Sequence, residues 1–70
     1  MNFRDFIAII ERHGFELKRT TGSHRQYEGL VDGRIQLVTV AAHRMGDEIL
    51  AKTLASMIRQ SGLSKRTFHR

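Results

Sequence analysis

The spacing of apolar residues changes twice along this 70-residue chain, from a helical period to a two-residue alternation and back. In the first segment, apolar residues recur every three or four positions, which predicts a helix over residues 3–13. Asn2 is a suitable N-cap for this helix, and Gly14 follows its last turn, as glycine commonly does at helix ends.

The next segment alternates between apolar and polar residues, which is the period of a strand. Phe15 and Leu17 are the expected half-buried positions of a first strand, and residues 21–23 supply a turn. A second strand begins at His24. Its alternation places Tyr27 on the opposite face from His24.

Residues 29–33 contain Asp32-Gly33, a pair typical of hairpin turns, and we expect them to connect to a third strand at residues 35–40. A helical period then returns. It predicts a second helix that begins between residues 47 and 52, with Asp47 as a candidate start, and ends at Gly62. The residues expected to share its buried face are Leu50, Leu54, Met57 and Ile58.

The order helix, three strands, helix predicts an α+β fold with a three-stranded antiparallel sheet. Both helices are expected on one face of the sheet, because each apolar stripe needs the same small core, and the other face is left open. The length suits a single domain over residues 1–70. A tail from Ser64 carries one apolar anchor, Phe68.

Composition narrows the possible functions. The chain has no cysteine, which excludes disulfides and thiolate chemistry, and its net charge of +5 favours a polyanionic partner such as nucleic acid. No apolar run approaches the roughly 20 residues of a membrane span, and the first residues do not have the pattern of a signal peptide. We therefore expect a cytoplasmic protein with no membrane contact.

Histidine is the residue type best suited to proton transfer at neutral pH, and His24 has suitable neighbours. Gly22 allows close approach of a phosphate, and Ser23 adds a hydroxyl. Taken alone, these residues favour a simple hairpin end over a catalytic site. His43 is a possible second acid or base, although a loop histidine is more often structural.

Basic side chains near the predicted strand ends and loops are candidates for contacting an RNA backbone. An ordinary solvated surface is the alternative interpretation. No cluster has the spacing of a metal site, and we expect neither metal nor cofactor. The candidate RNA-binding residues are Lys18, Arg19, Arg25, Arg34, Arg44 and Lys52.

Three segments in register resemble the HicA family of toxins, also called YcfA-like: 21–24 (TGSH), 38–43 (VTVAAH) and 52–63 (KTLASMIRQSGL). The chain departs from the family pattern at Ala41, where proline is usual, and at Lys52, where glycine is usual. The resemblance implies a fold like the double-stranded RNA-binding domain and the activity of an mRNA interferase, with His24 as catalytic residue.

The resemblance also implies a partner, a HicB-like antitoxin of a type II toxin-antitoxin system. We expect a monomer when free and a hetero-oligomer with the antitoxin. Two other functions are compatible with the residues: a non-catalytic RNA-binding module, and a basic protein that only binds an acidic partner.

Overall fold

The computed structural model describes residues 1–69 and confirms the predicted order of elements. Its three strands, which lie between the two α-helices in the sequence, form one antiparallel sheet with the second strand in the centre. A short 3-10 helix at Lys65–Phe68 follows. The elements are α1 (Phe3–Arg12), β1 (Glu16–Thr21), β2 (His24–Val31), β3 (Arg34–Ala41) and α2 (Ala51–Ser61).

The hairpin between β2 and β3 is tighter than predicted. Leu30 and Val31 still pair with β3, so the connection is Asp32-Gly33 alone and not residues 29–33. Both residues have positive φ, 50° and 78°, as a two-residue type I′ turn requires. Asp and Gly tolerate that conformation, which explains why the turn forms here.

The core lies between the sheet and the helices. On β2 and β3 the inward positions Tyr27, Val38 and Val40 are buried, as are Phe6 and Ile10 of α1. The opposite face of the sheet remains open, as predicted. The tail closes the core from another side, because the buried ring of Phe68 stacks on that of Phe6 at a centroid distance of 5.0 Å.

Helix α2 also protects the outer edge of β3. The Gln60 side-chain carbonyl (Oε1) accepts the backbone N–H of Thr39 at 3.0 Å, and the Gln60 amide (Nε2) donates to the Ser56 hydroxyl at 3.4 Å. A backbone donor on the free side of this edge strand is thereby satisfied.

Three details of the prediction are wrong. Leu17 is 47% exposed, because β1 is an edge strand and every one of its residues is exposed. Leu50 is 76% exposed, because it precedes the first helical residue, Ala51, in an extended conformation. Asp47 does not start α2; its carbonyl instead accepts the N–H of Phe3 at 3.2 Å.

The loop between β3 and α2 is held in place by hydrogen bonds at its start and at its middle. The N–H of Arg4 donates to the Met45 carbonyl at 2.8 Å, which ties the loop to the start of α1. The N–H of Ala42 donates to the Ser23 carbonyl at 3.1 Å, which ties it to the hairpin between β1 and β2. The loop therefore lies beside the end of the sheet at which β2 begins.

Candidate active site

His24 is the first residue of β2, and its side chain is exposed on the open face. It follows a two-residue turn, Gly22-Ser23. Gly22 has a φ of 59° and is the first of the two turn residues, the position at which a type II′ hairpin requires glycine. A turn this short fixes Thr21 directly opposite His24.

A shallow depression of about 210 Å³ surrounds His24. All three strands contribute to it, and it offers an imidazole, guanidinium groups, an amide and hydroxyls within one small area. These are groups that donate hydrogen bonds to phosphate and ribose oxygens. The lining residues are Arg19, Thr21, His24, Arg25, Gln26 and Thr39.

Arg19 reaches this depression because β1 contains a bulge. Leu17 pairs with Tyr27, but the next pair is Arg19 with Gln26, so Lys18 is an extra residue in the strand. In a regular strand Arg19 would share the helical side of the sheet with Leu17. The extra residue moves Arg19 to the open face beside Gln26, an effect for which bulges near functional sites are known.

His43 lies at the same end of the sheet as His24 but does not line the depression. It directly follows Ala42, which is hydrogen bonded to Ser23, so the loop histidine is close to the Gly22-Ser23 turn. Arg44 is exposed in the same loop. The structure thus groups both residues around the turn without placing either against His24.

Arg25 differs from the other basic candidates. It pairs with the buried Val40 and is half-buried, and its guanidinium donates from Nη1 to the Met45 sulfur at 3.4 Å. Its side chain supports the loop that carries His43, although the residue also borders the depression.

Three further candidates do not line the depression around His24. Lys18 is at the bulge in β1, and Lys52 is exposed on α2. Arg34 begins β3, whereas Ala41, the residue opposite His24, ends it. At about 3.3 Å per residue, these two ends of β3 are roughly 23 Å apart. Arg34 therefore belongs to a different part of the surface.

The sequence analysis missed the polar lining, namely Thr21, Gln26 and Thr39. Their signal was the alternation itself, because Gln26 is two positions after His24 on the same strand and Thr39 is the cross-strand partner of Gln26. Finding Thr39 required the register between β2 and β3, which the Asp32-Gly33 turn determines.

The charges at this surface are available to a ligand. Among residues 1–69 the structure shows one ion pair, between the N-terminal ammonium and Glu48 at 2.9 Å, so within this range no Lys or Arg pairs with a carboxylate.

In the same range no three His, Asp or Glu side chains gather as potential metal ligands. No helix among residues 1–69 has the length and apolar character of a membrane span.

A family model described as the HicA toxin of bacterial toxin-antitoxin systems matches residues 3–63. The chain belongs to the HicA toxin family. No curated protein matched the chain in a sequence search. As a member of a toxin-antitoxin family, the toxin has an antitoxin as its partner.

The family match ends at residue 63, so the 3-10 helix at Lys65–Phe68 lies outside it. Phe68 is nevertheless 4% exposed and part of the core. In this HicA toxin the tail thus contributes to the folded domain.

Proposed function

We propose that this HicA toxin is an endoribonuclease that cleaves mRNA without a metal ion, with His24 as its general acid or base. The observation that carries the proposal is the depression on the open face, where an exposed imidazole lies among polar groups and beside Arg19. Family membership supports a toxin role, and a toxin that cuts mRNA stops translation.

RNA supplies its own nucleophile in this mechanism. The ribose 2′-oxygen attacks the adjacent phosphorus, its proton passes to a base, and the bond to the 5′-oxygen breaks as that oxygen receives a proton. The products are a 2′,3′-cyclic phosphate and a free 5′-hydroxyl. An imidazole can carry out either proton transfer, and His24 is the one that lines the depression.

The other side chains that line the depression bind the RNA and stabilise the charge that develops on the phosphate. Arg19 offsets the negative charge that develops on the phosphate, and the amide of Gln26 with the hydroxyls of Thr21 and Thr39 orients the ribose and phosphate oxygens. Gly22 and Ser23 are small, so the turn leaves room for the RNA backbone to approach. His43 supplies the second proton transfer from the neighbouring loop if the reaction uses two histidines.

Arg44, in the loop beside the Gly22-Ser23 turn, continues the basic surface next to the depression. Lys18, Arg34 and Lys52 do not line the depression, and Arg34 lies at the opposite end of β3. Among residues 1–69 no Lys or Arg is paired with a carboxylate, so the basic groups near the depression are available to phosphates. A HicB-like antitoxin neutralises the toxin in the cytoplasm by covering the open face around His24.

The test is RNA cleavage by purified His24→Ala in the presence of EDTA, compared with the parent. Loss of a general acid or base typically lowers the rate about 10²- to 10⁴-fold. An exposed residue at a strand end adds little packing, so thermal melting should be unchanged. His69→Ala is the matched control, because His69 is also exposed but lies outside the depression.

The outcomes separate the candidate functions. Cleavage by His24→Ala at the parental rate would remove His24 from the mechanism, and loss of parental cleavage in EDTA would establish a need for metal. A parent that binds single-stranded RNA but never cuts it would be a non-catalytic RNA-binding module. His43→Ala in the same assay decides whether one histidine or two take part.

A further inference from the structure

The open face has two chemically different halves. Around His24 it is polar and basic, but toward the Asp32-Gly33 turn it carries three exposed aliphatic side chains. Leu30 is 67% exposed, Ile35 68% and Leu37 48%. Leu30 and Ile35 are direct cross-strand partners, and Leu37 lies two residues further along β3 on the same face. We call these three residues the apolar end.

Two carboxylates lie between the depression and the pair of Leu30 and Ile35, level with Leu37. Glu16 and Glu28 are cross-strand partners, and Glu28 is in turn opposite Leu37. Phosphates of an RNA strand are repelled by such a pair, and aliphatic side chains offer phosphates nothing. RNA bound at His24 is therefore not expected to continue along the sheet in this direction.

An exposed patch of three aliphatic residues, on the order of a few hundred Å², is the size at which patches on monomers mark interaction sites. We propose that the apolar end is the docking anchor of the antitoxin, distinct from the RNA site. The proposal rests on the proposed function in one respect, that the antitoxin covers the open face.

The area of a stable interface supports this occupant. A standard complex buries about 800 Å² on each partner. The depression around His24 involves only a few side chains, so an antitoxin that covers it must extend further across the sheet. Since the fully buried centre of an interface is more apolar than its rim, Leu30, Ile35 and Leu37 suit the centre of the surface that the antitoxin covers.

The charges also indicate the chemistry of the partner. An antitoxin surface with apolar side chains, flanked by Lys or Arg to meet Glu16 and Glu28, is complementary to this half of the face. A second copy of the toxin would be less favourable, because it would bring another pair of the same carboxylates into the interface. The anchor thus recognises a protein whose basic residues lie near its apolar ones.

The experiment uses the double variant Leu30→Thr/Ile35→Thr and the antitoxin expressed from the neighbouring reading frame. Threonine keeps the preference for strand conformation while removing most of the aliphatic contact. We expect affinity for the antitoxin to fall at least about tenfold, equivalent to about 1.4 kcal/mol. RNA cleavage without antitoxin should be unchanged. Leu50→Thr is the matched control, because Leu50 is 76% exposed but precedes α2, away from the open face.

Binding is measured by calorimetry and cleavage with a fluorescent RNA, after thermal melting has shown that each variant is folded. Unchanged antitoxin affinity in the double variant, or an equal loss in Leu50→Thr, would overturn the proposal. So would a parent that sediments as a dimer while the double variant sediments as a monomer. If the parent does not cleave RNA, the proposed function fails, but the antitoxin affinities still decide whether the apolar end is the anchor.

Discussion

Replacing Gly29 with alanine should destabilise the fold, although alanine is the better strand residue. Gly29 is buried in the middle of β2, and its φ is not positive, so its backbone conformation does not require glycine. The requirement is space. A Cβ at this position would lie 2.6 Å from Cγ and Cδ1 of Phe15 and 2.8 Å from Cδ2. Phe15 is 2% exposed and cannot move without disturbing the core.

Two effects of opposite sign determine the magnitude. Overpacking a well-packed core costs about 1–3 kcal/mol, and replacing glycine in a strand interior recovers about 0.5–1 kcal/mol. The central values give a net loss of about 1 kcal/mol in the free energy of unfolding, within a range of about 0–2.5 kcal/mol. For a domain of this size each kcal/mol shifts Tm by about 4–8 °C, so Tm should fall by about 4–8 °C.

Thermal melting and urea denaturation followed by circular dichroism measure this loss. Gly46→Ala is the control, because a Cβ there meets nothing closer than the Arg4 guanidinium at 3.9 Å, and its φ is not positive. Its Tm should stay the same or rise slightly. In a Phe15→Leu background the cost of Gly29→Ala should shrink. A Tm for Gly29→Ala at or above that of the parent would refute the argument from space.

Two further predictions concern the site and the tail. Arg19→Ala should lower RNA cleavage and reduce the salt dependence of RNA binding by about 0.7 in log–log slope, while Arg34→Ala, at the far end of β3, should leave cleavage near the parental rate. Equal losses in the two variants would mean that charge matters but position does not. Phe68→Ala should cost about 3–5 kcal/mol in stability, because the ring is buried against Phe6. A melting curve unchanged from the parent would show that the tail is dispensable.

Local patterns predicted most of the fold. Three predictions rest on residues close together in the sequence, and the structure confirms them. They are the helix α1, the Asp32-Gly33 turn, and the burial of Tyr27 on the face opposite His24. Burial at the ends of elements was less predictable. Leu17 has the right parity for a buried residue, but no helix covers the edge strand. Whether such a residue is buried depends on which elements pack over its strand, and the alternation of apolar and polar residues does not determine this.

The site required more than local patterns. Gly22, Ser23 and His24 form a continuous stretch, and the sequence grouped them correctly as a turn followed by a strand. The position of Arg19 depends on the bulge at Lys18, and a bulge is a property of how two strands pair. Thr39 enters through the register of a third strand. The catalytic role of His24 remains a prediction.

The hydrogen bond from Thr39 to Gln60 also affects whether strands of other molecules can pair with the edge of the sheet. A three-stranded sheet has two free edges, and each can recruit a strand from another molecule and begin a growing aggregate. Gln60 occupies a donor on one edge, while the bulge at Lys18 and the charges beside it interrupt the other. Proline, a common means of protecting such edges, is absent from this sequence. Gln60 at one edge and the bulge at Lys18 at the other thus both oppose the pairing of further strands with the sheet.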